Sequence, residues 1–448
     1  MRNRLHSSKP SLIWQRAQLA LALLTLLVAS IGGIAQQAQQ QYRSAEAEVQ
    51  SGALSRSDRL EIFEEVWEDI NEYYYDPNFN GVDWRAVRAR YRPLVDAASS
   101  DEEFYTLMKR MVGELRDAHT RFHTPREREE RKQHKSTSAG FSVYEIEGQT
   151  VIVSVDPASE AARAGVNEGM IVRAIDGKPV AEKLAEAQAA IGGSSTDRAV
   201  QLRLYRKILE GVPDTPLALA LARPDGSEFE VTVTRREVSD RAQVKWYRLA
   251  SGYGYIRLNV WREPAHKEFK NALERLKHVP GLIVDLRGNP GGEVNEVLRI
   301  AGYFLPDKKS FGSFIKRSGE AIQLFAGRRG EQVYAGPLVI LVNEGSGSGS
   351  EMFAGGLQDL GRASVIGRQS CGCLLGISKF REVEGGGEVA ISELGYLSPK
   401  KKKFEGAGVT PDQKVALTLA DLRRRRDSTI ETAETVLRAA LRNVTTQN

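Results

Sequence analysis

Two continuous apolar runs in the second half of the chain restrict its fold more than any other feature. They read "GLIVDLRG" (281–288) and "GPLVILVNEGS" (336–346), and each ends in glycine and polar residues. Uninterrupted apolar strands of this length are typical of a parallel sheet that is buried on both faces. Amphipathic helical segments such as "PAHKEFKNALERLKHV" (264–279) alternate with them. The sequence therefore predicts an α/β core with a βαβ sheet over residues 244–440.

A small helical region, residues 56–130, precedes this core. The segment "SDRLEIFEEVWEDINEYYYD" (57–76) spaces its apolar residues three or four apart, and Ser57 is a plausible N-cap. Its end is predicted at "LRDAHTRFHTP" (115–125), where polar residues and a proline indicate a loop.

Residues 138–237 are β-rich. The segment "TVIVSVD" (150–156) alternates as a strand does, and "GMIVRAIDGKPV" (169–180) predicts two strands that turn at Asp176-Gly177. One short helix is expected within "PASEAARAGV" (157–166), and residues 206–222 read as an insertion between the last strands. A separate β-rich domain is therefore expected between the helices and the α/β core.

The N-terminus has the pattern of an export signal. Four basic and no acidic residues occur in the first 35 positions, and residues 17–35 carry no charge. We expect a secretory leader over 1–35 with a small-x-small cleavage site at 33–35, or retention of 17–35 as a membrane anchor. Residues 36–55 are expected to be a linker. The mature protein is then periplasmic or otherwise extracytoplasmic.

Charge and cysteine content exclude several classes of protein. Net charge is +5, and removal of the leader's four basic residues leaves about +1, so no nucleic-acid partner is indicated. The sequence gives no indication of a cofactor or metal. The two cysteines, Cys371 and Cys373 in "SCGC", are too close for an unstrained disulfide and are interpreted as small packing residues.

A glycine-rich turn, "GSGSGSE" (345–351), follows the second apolar run and precedes a helical segment. It offers Ser346, Ser348 and Ser350, and a serine hydroxyl attacks substrates only when a neighbouring base takes its proton. Ser348 lies between two glycines at the junction, where a backbone can turn sharply beside free helix N–H groups. The turn alone leaves open whether it is catalytic or structural.

The β-rich region resembles a PDZ domain, through "AGFSV" (139–143) and the long run from Ser159 to Gly177. The resemblance implies that a peptide adds itself as a strand beside Gly140, Phe141, Ser142 and Val143.

The motifs of the α/β core, with "FEGAGVTPD" (404–412), resemble the tail-specific or C-terminal processing peptidases and their tricorn-core-like relatives, family S41. The resemblance covers residues 56–440 and implies a serine peptidase whose nucleophile is Ser348. Ser346 and Ser350 would then be turn residues, with Ser350 able to cap the helix. The oxyanion hole would combine Gly349 with Gly291 or Gly292 of "NPGG".

The chain departs from the branch of this family that uses a Ser–Lys dyad. Aligned without a gap, Cys373 occupies the lysine position and Ile377 that of the glutamine, while Lys379 lies six residues further on. A thiol cannot replace an amine that must act as a base near neutral pH. The lysine base is therefore expected to be absent.

The tricorn-like branch provides another base. Its pattern implies His119 of "RDAHT" as the base and Glu405 as the group that orients the imidazole, directly or through a further side chain. His123 is the competing histidine. The alternative role for Glu405 is to bind backbone N–H groups, and Asp117 is interpreted as structural.

Two functions remain open at this point. The first is an exported serine endopeptidase acting on polypeptide tails or unfolded proteins, and the second is a peptide-binding scaffold that lost its Ser–Lys base. A cysteine nucleophile at Cys373 is a third hypothesis. The oligomeric state is not assigned from the sequence.

Overall fold

The computed structural model describes residues 53–327 and 333–445. The expected leader, its uncharged run and most of the expected linker lie outside these residues. Within the described ranges, none of the helices combines the length and the apolar character that crossing a bilayer requires. The proposed export and anchoring of the chain therefore stay predictions.

The N-terminal region is helical, as predicted. Its helices are α1 Arg56–Tyr73, α2 Trp84–Ala97, α3 Asp101–Gly113 and α4 Pro125–Gln133. The N-cap of α1 is Ser55 rather than Ser57, because the Ser55 side chain accepts from Asp58 N–H and Asp58 bonds back in a capping box. The predicted loop after α3 also contains a strand, β1 Arg121–His123, which pairs with a strand of the core.

The region 138–237 forms a sheet with helices on it. Its elements are β2 Lys135–Ser138, β3 Phe141–Ile146, β4 Gln149–Val155, α5 Glu160–Arg163, β5 Ile171–Ile175, β6 Lys178–Pro179, α6 Val180–Ala190, α7 Asp197–Lys207, β7 Pro216–Ala222, β8 Glu228–Thr234 and β9 Arg236–Ser239. The sheet runs in the order β3-β4-β5-β7-β8, which leaves β3 at an edge, and it encloses its own apolar core.

One expectation for this region is wrong, and two of its helices were not predicted. Residues 206–222 are not an insertion, because β7 is an interior strand that pairs with both β5 and β8. Helices α6 and α7 were not predicted either, although Leu184, Ala187 and Ile191 follow at helical spacing and pack on the core of this region. The turn at Asp176-Gly177 is confirmed, with both residues at positive φ.

The α/β core has the predicted alternation. Its remaining elements are β10 Val244–Arg248, β11 Gly254–Leu258, α8 Ala265–Arg275, β12 Leu282–Asp285, α9 Val294–Ala301, β13 Lys309–Lys316, β14 Ala321–Ala326, β15 Leu338–Val342, α10 Gly349–Asp359, β16 Ser364–Gly367, β17 Leu375–Gly376, β18 Phe380–Glu382, β19 Glu388–Ala390, β20 Leu394–Leu397, β21 Gln413–Lys414, α11 Leu419–Arg424 and α12 Ser428–Thr445.

The main sheet runs in the order β10-β11-β12-β15-β16-β21, and all of its strands from β11 onward are parallel. Strands β12 and β15, the two apolar runs, lie side by side in its centre and every residue in them is buried. A second sheet, β14-β13-β20-β17, belongs to the same half of the chain. Because β12 and β15 are adjacent and parallel, the "NPGG" loop and the serine turn leave the sheet at the same edge.

Candidate active site

The serine turn is fixed by its two flanking serines. Ser346 Oγ donates to Leu286 O at 2.8 Å and accepts from Asn343 N. Ser350 Oγ donates to Asn289 O at 2.9 Å and accepts from Trp261 Nε1. Both side chains are fully buried. Their hydroxyls are therefore committed to holding the turn against the neighbouring loop, and neither is available to a substrate.

Ser348 differs from both. It is only partly buried, and its backbone has φ 49° and ψ −113°, a conformation that non-glycine residues rarely adopt. Ser348 itself is the N-cap of α10, so the expected cap at Ser350 is wrong: Ser350 lies within the first turn. The strained turn presents the Ser348 side chain at the positive end of a helix, where free N–H groups favour negative charge.

The "NPGG" loop touches this turn. A Cβ added to Gly291, whose φ is 108°, would lie 2.6 Å from Ser348 Cβ and 2.8 Å from Gly349 N. Gly291 N–H donates to Asn289 Oδ1, whereas Gly292 N–H has no hydrogen-bond partner among the described residues. Gly349 is the first residue of α10, so its N–H has no acceptor within the helix. Of the two candidates in this loop, Gly292 is therefore the one with a free donor.

Glu351 is a residue of the site that the sequence analysis missed. It is fully buried and its carboxylate accepts four hydrogen bonds, from Ser348 N, Ser370 Oγ, Gly372 N and Cys373 N. Burial raises the Glu351 pKa to about 7, and these four bonds oppose the increase. Its position three residues after Ser348, as in a capping box, was the available indication.

The loop that occupies the lysine position is a disulfide loop. Cys371 and Cys373 are bonded to each other with their Cα atoms 5.2 Å apart, so the interpretation as unpaired packing residues is wrong. The loop can bridge them because its backbone bends at Gly372, which has φ 74°. Cys373 O accepts from Ser348 N at 2.8 Å. Lys379 is exposed, beyond β17, and among the described residues no hydrogen bond joins it to Ser348.

His119 comes from the loop between α3 and β1. Its backbone N–H and that of Thr120 donate to Asp117 Oδ1, which also accepts from Ser392 Oγ, so Asp117 has the structural role expected of it. His119 Nδ1 is buried and has no hydrogen-bond partner in the described chain. Burial lowers the His119 pKa to about 4, although Asp117 opposes this decrease. The imidazole is therefore neutral at pH 7 and able to accept a proton.

The loop of His119 contacts the disulfide loop, whose Cys373 O accepts a hydrogen bond from Ser348 N. Ala118 packs with Cys371 and Cys373 in one small apolar cluster. No hydrogen bond joins the His119 ring to Ser348 or Glu405 among the described residues. The structure thus brings the two loops into contact but does not close the proton-transfer hydrogen bond.

The competing histidine has another partner. His123 Nδ1 lies 3.1 Å from Glu388 Oε1, and Arg131 binds the same carboxylate. His123 is therefore tied into an ion-pair cluster between β1, α4 and β19.

Glu405 lies between the two loops. Its Oε2 accepts from Leu374 N at 2.7 Å, next to the disulfide loop, so it does bind a backbone N–H group. Burial raises the Glu405 pKa to about 7, a hydrogen bond with Ser195 lowers it, and the Asp117 carboxylate raises it. Ser195, in the loop before α7, was not identified from the sequence.

The expected peptide-binding strand is at a sheet edge. Ser142 is exposed on β3, while Phe141 and Val143 are buried in the core of the β-rich region. Gly140 N–H donates to Ser138 Oγ, so it is already engaged. An unpaired edge strand is the geometry that accepts an added peptide strand.

The residues described contain no group of three or more metal-binding side chains. Serine, histidine and carboxylate chemistry is what the arrangement offers.

Two family models match the chain. Residues 252–415 match Peptidase family S41 and residues 55–113 match the Tricorn protease C1 domain. A carboxyl-terminal-processing protease of Synechocystis sp. is 30% identical over 81% of this chain and 82% of its own length. Carboxyl-terminal-processing peptidase 3, chloroplastic, of Arabidopsis thaliana is 28% identical over 80% of this chain and 69% of its own.

Solved structures share the fold. The photosystem II D1 C-terminal processing protease has a TM-score of 0.56 at 23% identity, covering 82% of this chain and 96% of its own. Mature CPAF has a TM-score of 0.65 at 15% identity, covering 87% and 98%. These structural matches show the fold, and the sequence relatives favour a peptidase over a binding scaffold. The chain belongs to peptidase family S41 and is a serine-type peptidase.

Proposed function

We propose that this peptidase cleaves polypeptides by acyl transfer from Ser348, with His119 as the base and Glu405 as the carboxylate that supports it. The observation that carries the proposal is the difference among the three serines of the turn. Ser346 and Ser350 have buried, fully bonded hydroxyls, whereas Ser348 is partly exposed at the start of a helix.

In the proposed reaction, Ser348 Oγ attacks the carbonyl carbon of the scissile bond while its proton passes to the His119 imidazole. The N–H groups of Gly349 and Gly292 stabilise the oxyanion. Collapse of the tetrahedral intermediate breaks the C–N bond, and His119 returns the proton to the leaving amine. Water then attacks the acyl ester with His119 again taking a proton, which releases the acid and restores Ser348.

The absence of a lysine at the position that the Ser–Lys branch uses supports His119 as the base. The corresponding position is Cys373, which is bonded to Cys371 and cannot act as a base or as a nucleophile. His119 is neutral because its pKa is lowered, and its loop packs on the disulfide loop. We propose that the missing hydrogen bond between His119 and Ser348 forms when substrate binds. Such bonds often tighten only in the substrate complex.

For substrate, we propose polypeptide tails or unfolded segments, recognised by the β-rich region acting as a PDZ domain. The edge position of β3 supports this proposal. The names of the relatives support it too, because they describe proteases that process carboxyl termini. Binding of a C-terminal peptide to the Ser348→Ala protein tests this. We expect tighter binding of the free acid than of the same peptide amidated, and equal binding would contradict it.

We further propose that the protein is exported, because residues 1–35 combine four basic residues with a long uncharged run. Cell fractionation with N-terminal sequencing tests this, and a cytoplasmic protein with an intact leader would contradict it.

The proposed nucleophile is tested with a fluorophosphonate probe, which reacts with activated serines. We expect one covalent adduct, mapped by peptide mass spectrometry to Ser348. The matched variant Ser348→Ala should give none, and His119→Ala should slow labelling strongly. An adduct elsewhere, or labelling at wild-type rate in His119→Ala, would contradict the assignment.

A further inference from the structure

A short segment of the β-rich region lies within the proposed catalytic apparatus. We call residues 191–198, which join α6 to the first turn of α7, the linking segment. Its Gly192 approaches Gly113 so closely that a Cβ on Gly192 would lie 3.3 Å from Gly113 Cα. The segment therefore packs directly against the end of α3, from which the loop of His119 departs.

The other end of the linking segment is bonded to the core. Thr196 Oγ1 donates to Cys371 O at 2.6 Å, and Arg198 donates to Ser370 O and to Ala407 O at 2.9 and 2.8 Å. These three bonds attach the start of α7 to the disulfide loop and to the loop that follows Glu405. The segment is thus held between the end of α3 and the two core loops that contain Cys371 and Ala407.

Ser195 occupies the centre of the segment. Its Oγ accepts a hydrogen bond from Ala118 N at 3.0 Å, and Ala118 immediately precedes His119. The same segment lies against the loop of Glu405, since a Cβ on Gly406 would lie 4.0 Å from Ser195 O, and the Ser195 side chain lowers the pKa of the Glu405 carboxyl group. A hydroxyl that accepts from Ala118 N through a lone pair keeps its own proton free to turn toward that carboxylate.

We propose that Ser195 is a positioning residue of the active site, which couples Glu405 to the loop of His119 and so makes the β-rich region a structural component of the catalytic centre. This inference rests on the proposed roles of His119 and Glu405. It concerns how they are held, and it assigns no new chemical step.

Several charged or titratable groups face Glu405 in addition to Ser195. Asp117 and Glu351 raise the Glu405 pKa, and its carboxylate in turn raises the pKa values of Tyr74 and Tyr75. Since none of these groups is a cation, the hydrogen bond from Leu374 N–H and the nearby Ser195 side chain are what favour the ionised form. Loss of Ser195 should therefore make Glu405 harder to ionise.

The test compares Ser195→Ala, Ser195→Thr and the matched control Ser194→Ala in the full chain. Ser194 is adjacent and has a buried hydroxyl with no partner among the described residues. We expect Ser195→Ala to lower kcat on a short fluorogenic peptide about tenfold, with KM changed less than about twofold. The acid limb of the kcat profile should move up by about 0.5–1 pH unit.

Ser195→Thr keeps a hydroxyl and should restore both kcat and the acid limb, while Ser194→Ala should behave as wild type. Should Ser195→Ala fail to fold, Ser195→Cys retains the volume with a weaker donor, and the same upward movement is expected. A wild-type kcat and acid limb would overturn the proposal. A lower kcat and a lower melting temperature with an unchanged acid limb of the kcat profile would also overturn the proposal. A serine with a merely structural role would produce that result.

Failure of the triad itself is distinguishable. If His119→Ala retains full activity, the proposed base is wrong whatever Ser195 does. If His119→Ala and Glu405→Gln are impaired while Ser195→Ala is unchanged, only the role of Ser195 is lost.

Discussion

The serine turn and the loop of His119 differ in how completely their polar groups are hydrogen-bonded. Around Ser348, buried hydroxyls, the Glu351 carboxylate and the "NPGG" loop fix nearly every backbone group by hydrogen bonding. In the other loop, Asp117 fixes the backbone of His119, but the buried Nδ1 of its ring has no partner in the described chain. The turn of the proposed nucleophile is preorganised, whereas the proposed base has still to form its hydrogen bond.

The groups proposed to act together come from different regions of the chain. The serine turn belongs to one continuous α/β core, whereas His119 comes from the helical region and Ser195 from the β-rich region. Any relative movement of these regions acts on the base before it acts on the nucleophile. Preorganised groups contribute to the rate only when every partner is in position.

We expect the largest loss of activity from a substitution in the serine turn. Replacement Ser348→Ala removes the nucleophile, and we expect kcat/KM on an unfolded protein substrate to fall by at least about 10⁴-fold. Peptide release measured by mass spectrometry checks this. A melting temperature equal to wild type serves as control, and appreciable residual cleavage would assign the reaction to another group.

Replacement His119→Ala tests the base side. We expect kcat to fall about 10²–10⁴-fold, since a positioned general base contributes that much. The matched controls are Lys379→Ala, which removes the nearby exposed amine, and His123→Ala, which removes the histidine paired with Glu388. Both should keep most of the activity, and a greater loss in either than in His119→Ala would relocate the base.

A methyl group at Gly291 should disturb the contact between the two loops of the serine side. Its Cβ would lie 2.6 Å from Ser348 Cβ at a φ of 108°, so we expect Gly291→Ala to reduce kcat about 10²-fold by displacing the oxyanion donors. Gly252→Ala, at φ 90° with nothing within 4 Å of the added Cβ, controls for the backbone strain alone. Equal kinetics for the two variants would remove Gly291 from the site.

The smallest effect is expected from the carboxylate between the loops. The Glu405 pKa is raised to about 7, so this carboxyl group is mostly neutral below that pH and ionised above it. The His119 pKa is lowered to about 4, so the imidazole stays neutral between pH 5.5 and 8. Activity should therefore rise with pH through about 7 if the ionised carboxylate supports the imidazolium. Glu405→Gln should lower kcat about tenfold at pH 8 and flatten this rise between pH 5.5 and 8. A retained rise would show that another group titrates there.

Local patterns predicted most of the core. The apolar runs became β12 and β15, and the glycine loops after them meet as the parallel arrangement requires. Prediction failed within the β-rich region: α6 and α7 were not recognised although apolar residues of α6 follow at helical spacing, and 206–222 was misread because its strand depends on β5 and β8. The Cys371–Cys373 bond was missed because sequence distance does not reveal the bend at Gly372.

By itself, the sequence determined the serine peptidase class, the α/β core and the identity of the turn that bears Ser348, because these depend on residues close together in the chain. Only the tertiary structure decided which serine is free, which glycine N–H is unpaired, and that Glu351 and Ser195 join the site. Those properties are hydrogen-bond assignments between segments far apart in sequence, such as Ala118 with Ser195 and Ser350 with Asn289. A sequence pattern records which donors and acceptors exist, but folding determines which of them remain unpaired.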